Sequence, residues 1–577
     1  MSPTNQVRIA IACAGLLAAA ASSAAAQTTT RISVSSAGVQ GNADSSPPTL
    51  SADGHWAVFD SLADDLVPGD TNGCSDLFVR DLWAGTTERV SLAPNGDQSN
   101  GGCGTETISS DGRFVVFAST ASNLVVGDNN GLQDVFVLDR ATGAIDRVSV
   151  STAGAEADSD CHVNGCMPVI SIDGRFVVFD SHATNLVLGD SNGSWDSYLH
   201  DRVTGTTDFV DRNPAGEQAN AHASNASITP EGRYAVFMSQ ATNLVSHDVN
   251  GLQDVFVRDL STGVVELVSV SSTGEQGNGI SFQGMLTPDG RFVCFGSAAS
   301  NLVSGDVNGE ADVFVHDRLT GVTEIVSVAS DGTQGDGRSG EAVISPDGRF
   351  VAFDSIASTL VPSDTNSTDD VFLHDRLTRG TVRVSVGVGG VQALGPSEHP
   401  TMTSEGRRIG FRSGAKNLVP GDTNHATDTF VVDRGAALIA SYCVAATTSA
   451  GCQPAIGSSG EPSMSGSAPF ELRAAPVINR KFGLLFYGFA PSAPPFHAGP
   501  ACIAPPLERT RSAYSGGNPP PDDCSGALQL DFNPILRSGV DPNLVAGREV
   551  FCQFWFRDRA SASGAGMSDA LTFLIQP

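Results

Sequence analysis

Seven aspartate–asparagine pairs recur along the chain, each followed four residues after the asparagine by another aspartate. The sets are Asp70, Asn72 and Asp76; Asp128, Asn130 and Asp134; Asp190, Asn192 and Asp196; Asp248, Asn250 and Asp254; Asp306, Asn308 and Asp312; Asp364, Asn366 and Asp370; and Asp422, Asn424 and Asp428. Oxygen donors at relative positions 1, 3 and 7 suit a calcium loop, and a formal net charge of −30 is one that bound divalent ions would offset. The same residues also build turns without an ion, because Asp and Asn bond to nearby backbone and Asn-Gly is ordinary turn chemistry. The match to an EF-hand is partial. Position 12 is acidic (Asp81, Asp139, Asp201), but five extended residues put it about 16 Å beyond position 7. Position 5 is Leu132, Leu252 or Ala426 in three copies. Calcium loops and plain structural turns stand as competing expectations.

Other chemistry is sparse. His200, His316 and His374 share one position of the repeat and are expected at the surface, held too far apart for a metal triad. Asp81, Asp139, Asp201, Asp259, Asp317, Asp375 and Asp433 open short turns and are expected to accept their hydrogen bonds. The chain has no Gly-x-Ser-x-Gly elbow, His-Glu-x-x-His pair or Gly-x-x-x-x-Gly-Lys cradle, so no catalytic residue is assigned and no cofactor besides calcium is expected.

The elements that position these residues follow from the repeat. An acidic-Gly pair recurs at Asp53-Gly54, Asp111-Gly112, Asp173-Gly174, Glu231-Gly232, Asp289-Gly290, Asp347-Gly348 and Glu405-Gly406, at spacings of 58, 62, 58, 58, 58 and 58. Asp-Gly between apolar runs is a hairpin signal. Each repeat reads as four short strands, with tight turns after the first and third and a long loop after the second. The second strand, such as Phe114-Val115-Val116-Phe117, is apolar on both parities. A strand with one wet face would alternate, so both faces must be covered by neighbours, as in the blades of a ring. The seventh repeat lacks a fourth strand, and residues 30–35 (Thr-Arg-Ile-Ser-Val-Ser) resemble one, which predicts closure by the N-terminal segment. The predicted fold class is all-β: a seven-bladed β-propeller closed by an N-terminal strand, plus a small C-terminal β-sandwich domain.

The segments Ile344-Ser345-Pro346-Asp347-Gly348-Arg349-Phe350-Val351-Ala352-Phe353 and Asp312-Val313-Phe314-Val315-His316-Asp317 resemble the WD-like propeller repeat of TolB-type periplasmic proteins, over about residues 30–434. The resemblance implies a fold rather than a function. TolB-type proteins carry an α/β domain before the propeller and none is read here, so partnership with a Tol–Pal system is not carried over. The segments Tyr442-Cys443, Gly483-Leu484-Leu485-Phe486-Tyr487-Gly488 and Phe554-Trp555-Phe556-Arg557-Asp558 resemble an uncharacterised domain that ends many secreted bacterial proteins, which implies export.

Residues 1–26 read as a signal peptide: Arg8, an apolar core over 9–20, and Ala24-Ala25-Ala26 before Gln27. The expected division is then propeller over 27–434, junction over 435–466 and C-terminal domain over 467–577, with strands near 470–475, 483–489, 527–532, 550–556 and 570–575. The expected location is exported: periplasmic, cell-surface or extracellular. In an oxidising compartment the nearest cysteine pairings are Cys74–Cys103, Cys161–Cys166, Cys443–Cys452 and Cys502–Cys524, with Cys294 and Cys552 left as thiols. The charge argues against nucleic acid, and no transmembrane segment is expected in the mature chain, read as a monomer. The long loops gather on one face, where binding residues concentrate on a rigid β scaffold. Two functions follow. One is a non-catalytic binding or scaffold protein using that face for a protein or glycan. The other is a hydrolase or lyase acting at the central channel, marked by one cluster of perturbed titratable groups that departs from the sevenfold pattern.

Overall fold

The computed structural model describes residues 27–161, 167–403 and 406–434. Beyond these it describes 439–442, 448–452, 454–459, 462–464, 469–489, 495–496, 499–500, 507–518, 521–545, 548–558, 560 and 565–575. The expected signal peptide lies outside the described residues.

Seven four-stranded antiparallel sheets follow one another from Thr28 to Asp433. Blade two is typical: Cys103–Ile108, Phe114–Ser119, Asp134–Asp139 and Ala144–Arg147, paired in that order. The first strand of every blade touches the first strands of both neighbours, including blade seven against blade one. The first strands are therefore innermost, and the ring is closed. The second strand Phe114–Ser119 is buried along its whole length, as its unbroken apolar character requires. Cores form between blades: Val58, Leu77 and Val79 of blade one pack with Val115, Phe117 and Phe136 of blade two. In each blade an aromatic of the second strand lies opposite one of the third, as with Phe117 and Phe136. The seven pairs stack with ring centroids 5.7–5.9 Å apart.

The Asp-Gly turn explains its own conservation of shape. Gly174 has φ +70°, and a Cβ there would fall 2.4 Å from the Phe114 ring of the preceding blade. Only glycine serves both demands.

The N-terminal strand closes blade seven, but it is Thr28–Arg31 rather than residues 30–35. Thr28 faces Asp433 and Arg31 faces Phe430, and the Ile32 N–H donates to the Thr429 carbonyl at 2.8 Å. Ile32 is buried with Leu50, Phe59 and Phe78. Ser33 fixes the register, because its hydroxyl bonds Asp428 as Ser327 bonds Asp312. Thr28–Arg31 therefore corresponds to the fourth strand Val322–Ile325 of blade five.

The C-terminal domain pairs two sheets over one core. One orders Ile439–Tyr442, Ala565–Leu574, Glu549–Arg557, Phe482–Gly488 and Glu508–Arg509; the other orders Ala455–Ser459, Glu471–Val477 and Gly526–Asp531. Phe470, Leu472, Leu485, Leu528, Phe532, Phe554 and Phe573 fill the space between them. Two of these strands fall within the stretch 435–466 read as a junction. Its small residues pair as edge strands instead of linking domains.

The cysteine pairings differ from nearest-neighbour expectation. Cys452 is bonded to Cys524, 72 residues on, which replaces both Cys443–Cys452 and Cys502–Cys524. Spatial neighbours across the domain, not sequence neighbours, meet there; Cys443 and Cys502 lie outside the described residues. Cys74 and Cys103 are both thiols, the Cys103 thiol bonding Ser119 at 3.3 Å. Cys166 lies outside the described residues, so the Cys161–Cys166 pairing does too. Cys294 and Cys552 are buried thiols.

Candidate functional site

The seven Asp/Asn sets form hydrogen-bonded clasps. In blade five, Asp312 is fully buried; it accepts from Ser327 at 2.6 Å, Asn308 at 2.9 Å and Gln334 at 2.7 Å. The same Gln334 amide donates to Asp306 at 2.8 Å. Gln276 bridges Asp248 and Asp254 alike, as do Gln218 for Asp190 and Asp196, Gln392 for Asp364 and Asp370, and Gln40 for Asp422 and Asp428. In blades one and two an arginine takes this place. Arg89 lies 3.1 and 3.2 Å from Asp70 and Asp76, and Arg147 lies 3.3 Å from both Asp128 and Asp134.

This donor set does not fit calcium. A cation between the two aspartates would need oxygen ligands converging on it, yet an N–H donor fills that space in every blade. The asparagines face the carboxylates through their amide N–H groups, while their oxygens accept backbone N–H two residues on, as Asn130 accepts from Leu132 at 3.0 Å. Asn72, Asn192, Asn250, Asn308, Asn366 and Asn424 repeat that turn. Blade three replaces the clasp serine by Asp211. Burial pushes both Asp211 and Asp196 up, Asp196 to about 6, so the pair holds a proton where other blades use a hydroxyl.

The bridging residues Gln40, Gln218, Gln276, Gln334 and Gln392 were not singled out from the sequence, though they recur in step with the Asp-Gly pairs; Gln98 and Glu156 hold the same position in blades one and two and bond the bridging Arg89 and Arg147 instead. The three histidines are buried rather than superficial. Nδ1 of His200, His316 and His374 bonds Thr207, Thr323 and Thr381 at 2.8–2.9 Å, and each threonine hydroxyl donates to a carbonyl of the preceding blade, Val150, Val270 and Val328. They fasten blade to blade. Asp81, Asp139, Asp201, Asp259, Asp317 and Asp375 accept turn N–H groups as expected, the turn after Asp433 lying outside the described residues, and Asp433 and all of these but Asp81 also hold an arginine, as Asp139 holds Arg113 at 3.0 and 2.7 Å.

The inner ends of the same blades are different. The innermost strands run from the long-loop face inward, and in five of them a bulge puts a non-glycine residue in left-handed backbone: Thr105 (φ 52°), Asn225 (57°), Gln283 (51°), Glu341 (43°) and His399 (53°). Such backbone is costly and collects at functional sites. The five residue types all differ. The fifth residue of the second strand varies too, with aspartate in three blades: Asp60, Ala118, Asp180, Met238, Gly296, Asp354 and Arg412.

Together these two positions gather a cluster on blades six, seven, one and two. His399 Nδ1 lies 3.2 Å from Glu341, and the His399 backbone N–H donates to Asp354 at 3.2 Å. Arg338 pairs with Asp369 at 2.8 Å, and Arg412 with Glu398 at 2.9 Å. In blade one, Ser75 donates to Asp60 at 2.6 Å, and Ser46 joins Asp60 to Glu106 by giving its proton to Glu106 at 3.1 Å and accepting the Asp60 N–H. Asp354 is 3% exposed and Glu106 2%. One oxygen of each, Asp354 Oδ1 and Glu106 Oε2, has no hydrogen-bond partner. Burial and the charge of Glu341 push Asp354 up to about 7, and burial with the charge of Asp60 lifts Glu106 well above the carboxylate range. Burial opposes ionisation of Glu341 and His399 alike, yet each holds the other charged. This arrangement can bind polar groups and can give or take a proton near neutrality.

Blade three, next to blade two in the ring, adds an aromatic group. The carbonyl of the residue before the third strand accepts a backbone N–H from the entry to the next blade all round the ring: Ser75, Gln133, Trp195, Gln253, Ala311, Asp369 and Thr427. Only blade three places an aromatic there, with His182 edge-on to Trp195 at 5.8 Å.

No family model matches the chain, and no curated protein matches it. Among solved structures, an oligogalacturonate lyase in complex with manganese is 12% identical, with TM-score 0.44, covering 70% of this chain and 92% of that one. An oligogalacturonate lyase from Vibrio parahaemolyticus is 13% identical, with TM-score 0.44, covering 70% and 93%. TolB from Acinetobacter baumannii is 16% identical, with TM-score 0.33, covering 59% and 63%.

Proposed function

We propose that this is an exported binding protein that takes a glycan at the mouth of its central channel, on the long-loop face. The observation that carries the reading is the break in the repeat: titratable groups crowd the mouth on blades six, seven, one and two, two of them with a buried carboxylate oxygen that lacks a partner. Carboxyl, guanidinium and imidazole groups, with Trp195 on the adjoining blade three, offer a sugar both hydroxyl partners and a ring face. Export is supported by the signal-like segment 1–26 and by the Cys452–Cys524 disulfide, which belongs to an oxidising compartment. No helix among the described residues is long and apolar enough to cross a membrane.

A second reading is favoured by one detail. Asp354 is poised near neutrality beside His399, which suits proton transfer in a hydrolase or lyase acting on the same ligand. Isothermal titration of the mature chain with a panel of oligosaccharides tests both readings. Binding that Trp195→Ala weakens is expected; no heat with any sugar of the panel would overturn the glycan reading. Release of reducing ends or of unsaturated sugar, lost in Asp354→Asn, would decide for the enzyme.

A further inference from the structure

The charges at the mouth do not balance, and the imbalance has a direction. Among the described residues the cluster holds six carboxyl groups, Asp60, Glu106, Glu341, Asp354, Asp369 and Glu398, against three cations, Arg338, His399 and Arg412. Each cation makes its close ion pair with one acid, Arg338 with Asp369, His399 with Glu341 and Arg412 with Glu398, and reaches the others only at longer range, Arg412 favouring the charged form of Asp60 and His399 that of Asp354. Asp60, Glu106 and Asp354 are left without a close ion-pair partner. Two of these three are also the groups with an unpartnered, buried oxygen. Hydroxyl donors from Ser46 and Ser75 satisfy part of the blade-one pair, and one backbone N–H satisfies part of Asp354. None of these donors supplies positive charge. A buried carboxyl without a counter-charge stays protonated or recruits one.

The missing charge is not a metal ion held by the protein alone. No group of three histidine, cysteine, aspartate or glutamate side chains among the described residues is placed to hold one. It is not an anion either, since the uncommitted groups and the whole chain are acidic. What remains is an organic cation carried on a ligand that also suits the aromatic group of blade three. An ammonium group meets both, because it forms charge-assisted hydrogen bonds with carboxylates and is attracted to an indole face.

We infer that the channel mouth selects a cationic glycan, an oligosaccharide bearing free primary amines, with Asp60, Glu106 and Asp354 receiving the ammonium groups. The inference rests on the glycan-binding reading above and names the class of sugar. It sets this chain apart from any propeller that takes an acidic sugar, for the uncommitted charges would repel a uronate.

Four ligands of matched length titrated into the mature chain test it: a β-1,4-linked glucosamine tetramer, its N-acetylated form, a galacturonate tetramer and tetralysine. The glucosamine tetramer should bind about tenfold tighter than the N-acetylated one, with no binding of galacturonate. The double variant Glu106→Gln, Asp354→Asn should lose that preference while melting no lower than the parent chain. Equal binding of the amino and N-acetylated tetramers, or galacturonate binding best, would overturn the charge selection and leave glycan binding standing. Tetralysine binding as tightly as the amino sugar would overturn the glycan in favour of a basic peptide. Silence from all four would remove both readings.

Discussion

The outer and inner halves of each blade, at the same long-loop end, obey opposite rules. In the outer half, a buried aspartate, a serine, an asparagine and a bridging Gln or Arg return with nearly the same partners and distances around the ring. In the inner half, equivalent positions hold Thr105, Asn225, Gln283, Glu341 and His399, or Asp60, Ala118, Met238, Gly296 and Arg412. Both halves are rich in acid, and only comparison among blades separates them. Acidic groups that repeat share one set of partners, with only Asp248 Oδ2 among the clasp aspartates left unbonded; of those that do not repeat, Asp354 and Glu106 each keep a buried oxygen with no partner. Position within the ring, rather than residue type, tells a fold-making carboxylate from one available to a ligand.

The comparison can be broken most sharply at the seam. Ile32→Asp puts a carboxylate among Leu50, Phe59 and Phe78 and should cost about 4 kcal/mol or more, read as a shifted urea midpoint. A smaller effect is expected in a single clasp. Ser327→Ala strips one hydroxyl from the fully buried Asp312 and should cost about 1–3 kcal/mol, with blade clasps elsewhere giving matching values. The inner half should respond with the other sign. Asp354 has its pKa raised, so the stability it contributes is present below the ordinary aspartate pKa and is lost as pH rises through about 7. Asp354→Asn should therefore be the more stable protein at pH 8, by on the order of 2 kcal/mol, and show no gain at pH 3. That difference is read from denaturant curves at the two pH values. The smallest effect belongs to metal. Exhaustive chelation should leave the melting temperature unmoved and later calcium should give no heat, because N–H donors already bridge the aspartates; a rise in melting temperature with calcium would show that the clasp opens to admit it.

Much of this was legible in the chain. The Asp-Gly turns and the two-sided apolar strands fix seven blades because both are local demands. Closure was legible too, but the strand starts two residues and ends four residues before the expected span, since register is set by Ser33 reaching Asp428 and not by the Thr-Arg-Ile pattern alone. The Asp/Asn spacing was legible while its chemistry was not: relative position cannot tell whether an amide turns its oxygen or its N–H to a neighbour. The Cys452–Cys524 pairing joins segments 72 residues apart, beyond the reach of spacing arguments. The inner cluster was legible only as a class, a departure from sevenfold order. Glu106, Glu341 and His399 become visible when the seven repeats are laid over one another and the misfits are read.

Thr28–Arg31 meets its partner strand Asp428–Asp433 only when nearly the whole ring lies between them. Ribosomes make the first of these segments long before the second. A growing chain can stack its blades in order of synthesis, yet the strand made first is secured last, at a loop-closure cost that falls due after every other blade is in place. Until then blade seven carries an open edge able to accept a strand from another copy. Of all the strand pairings in the ring, the joining of its two ends therefore closes the longest loop.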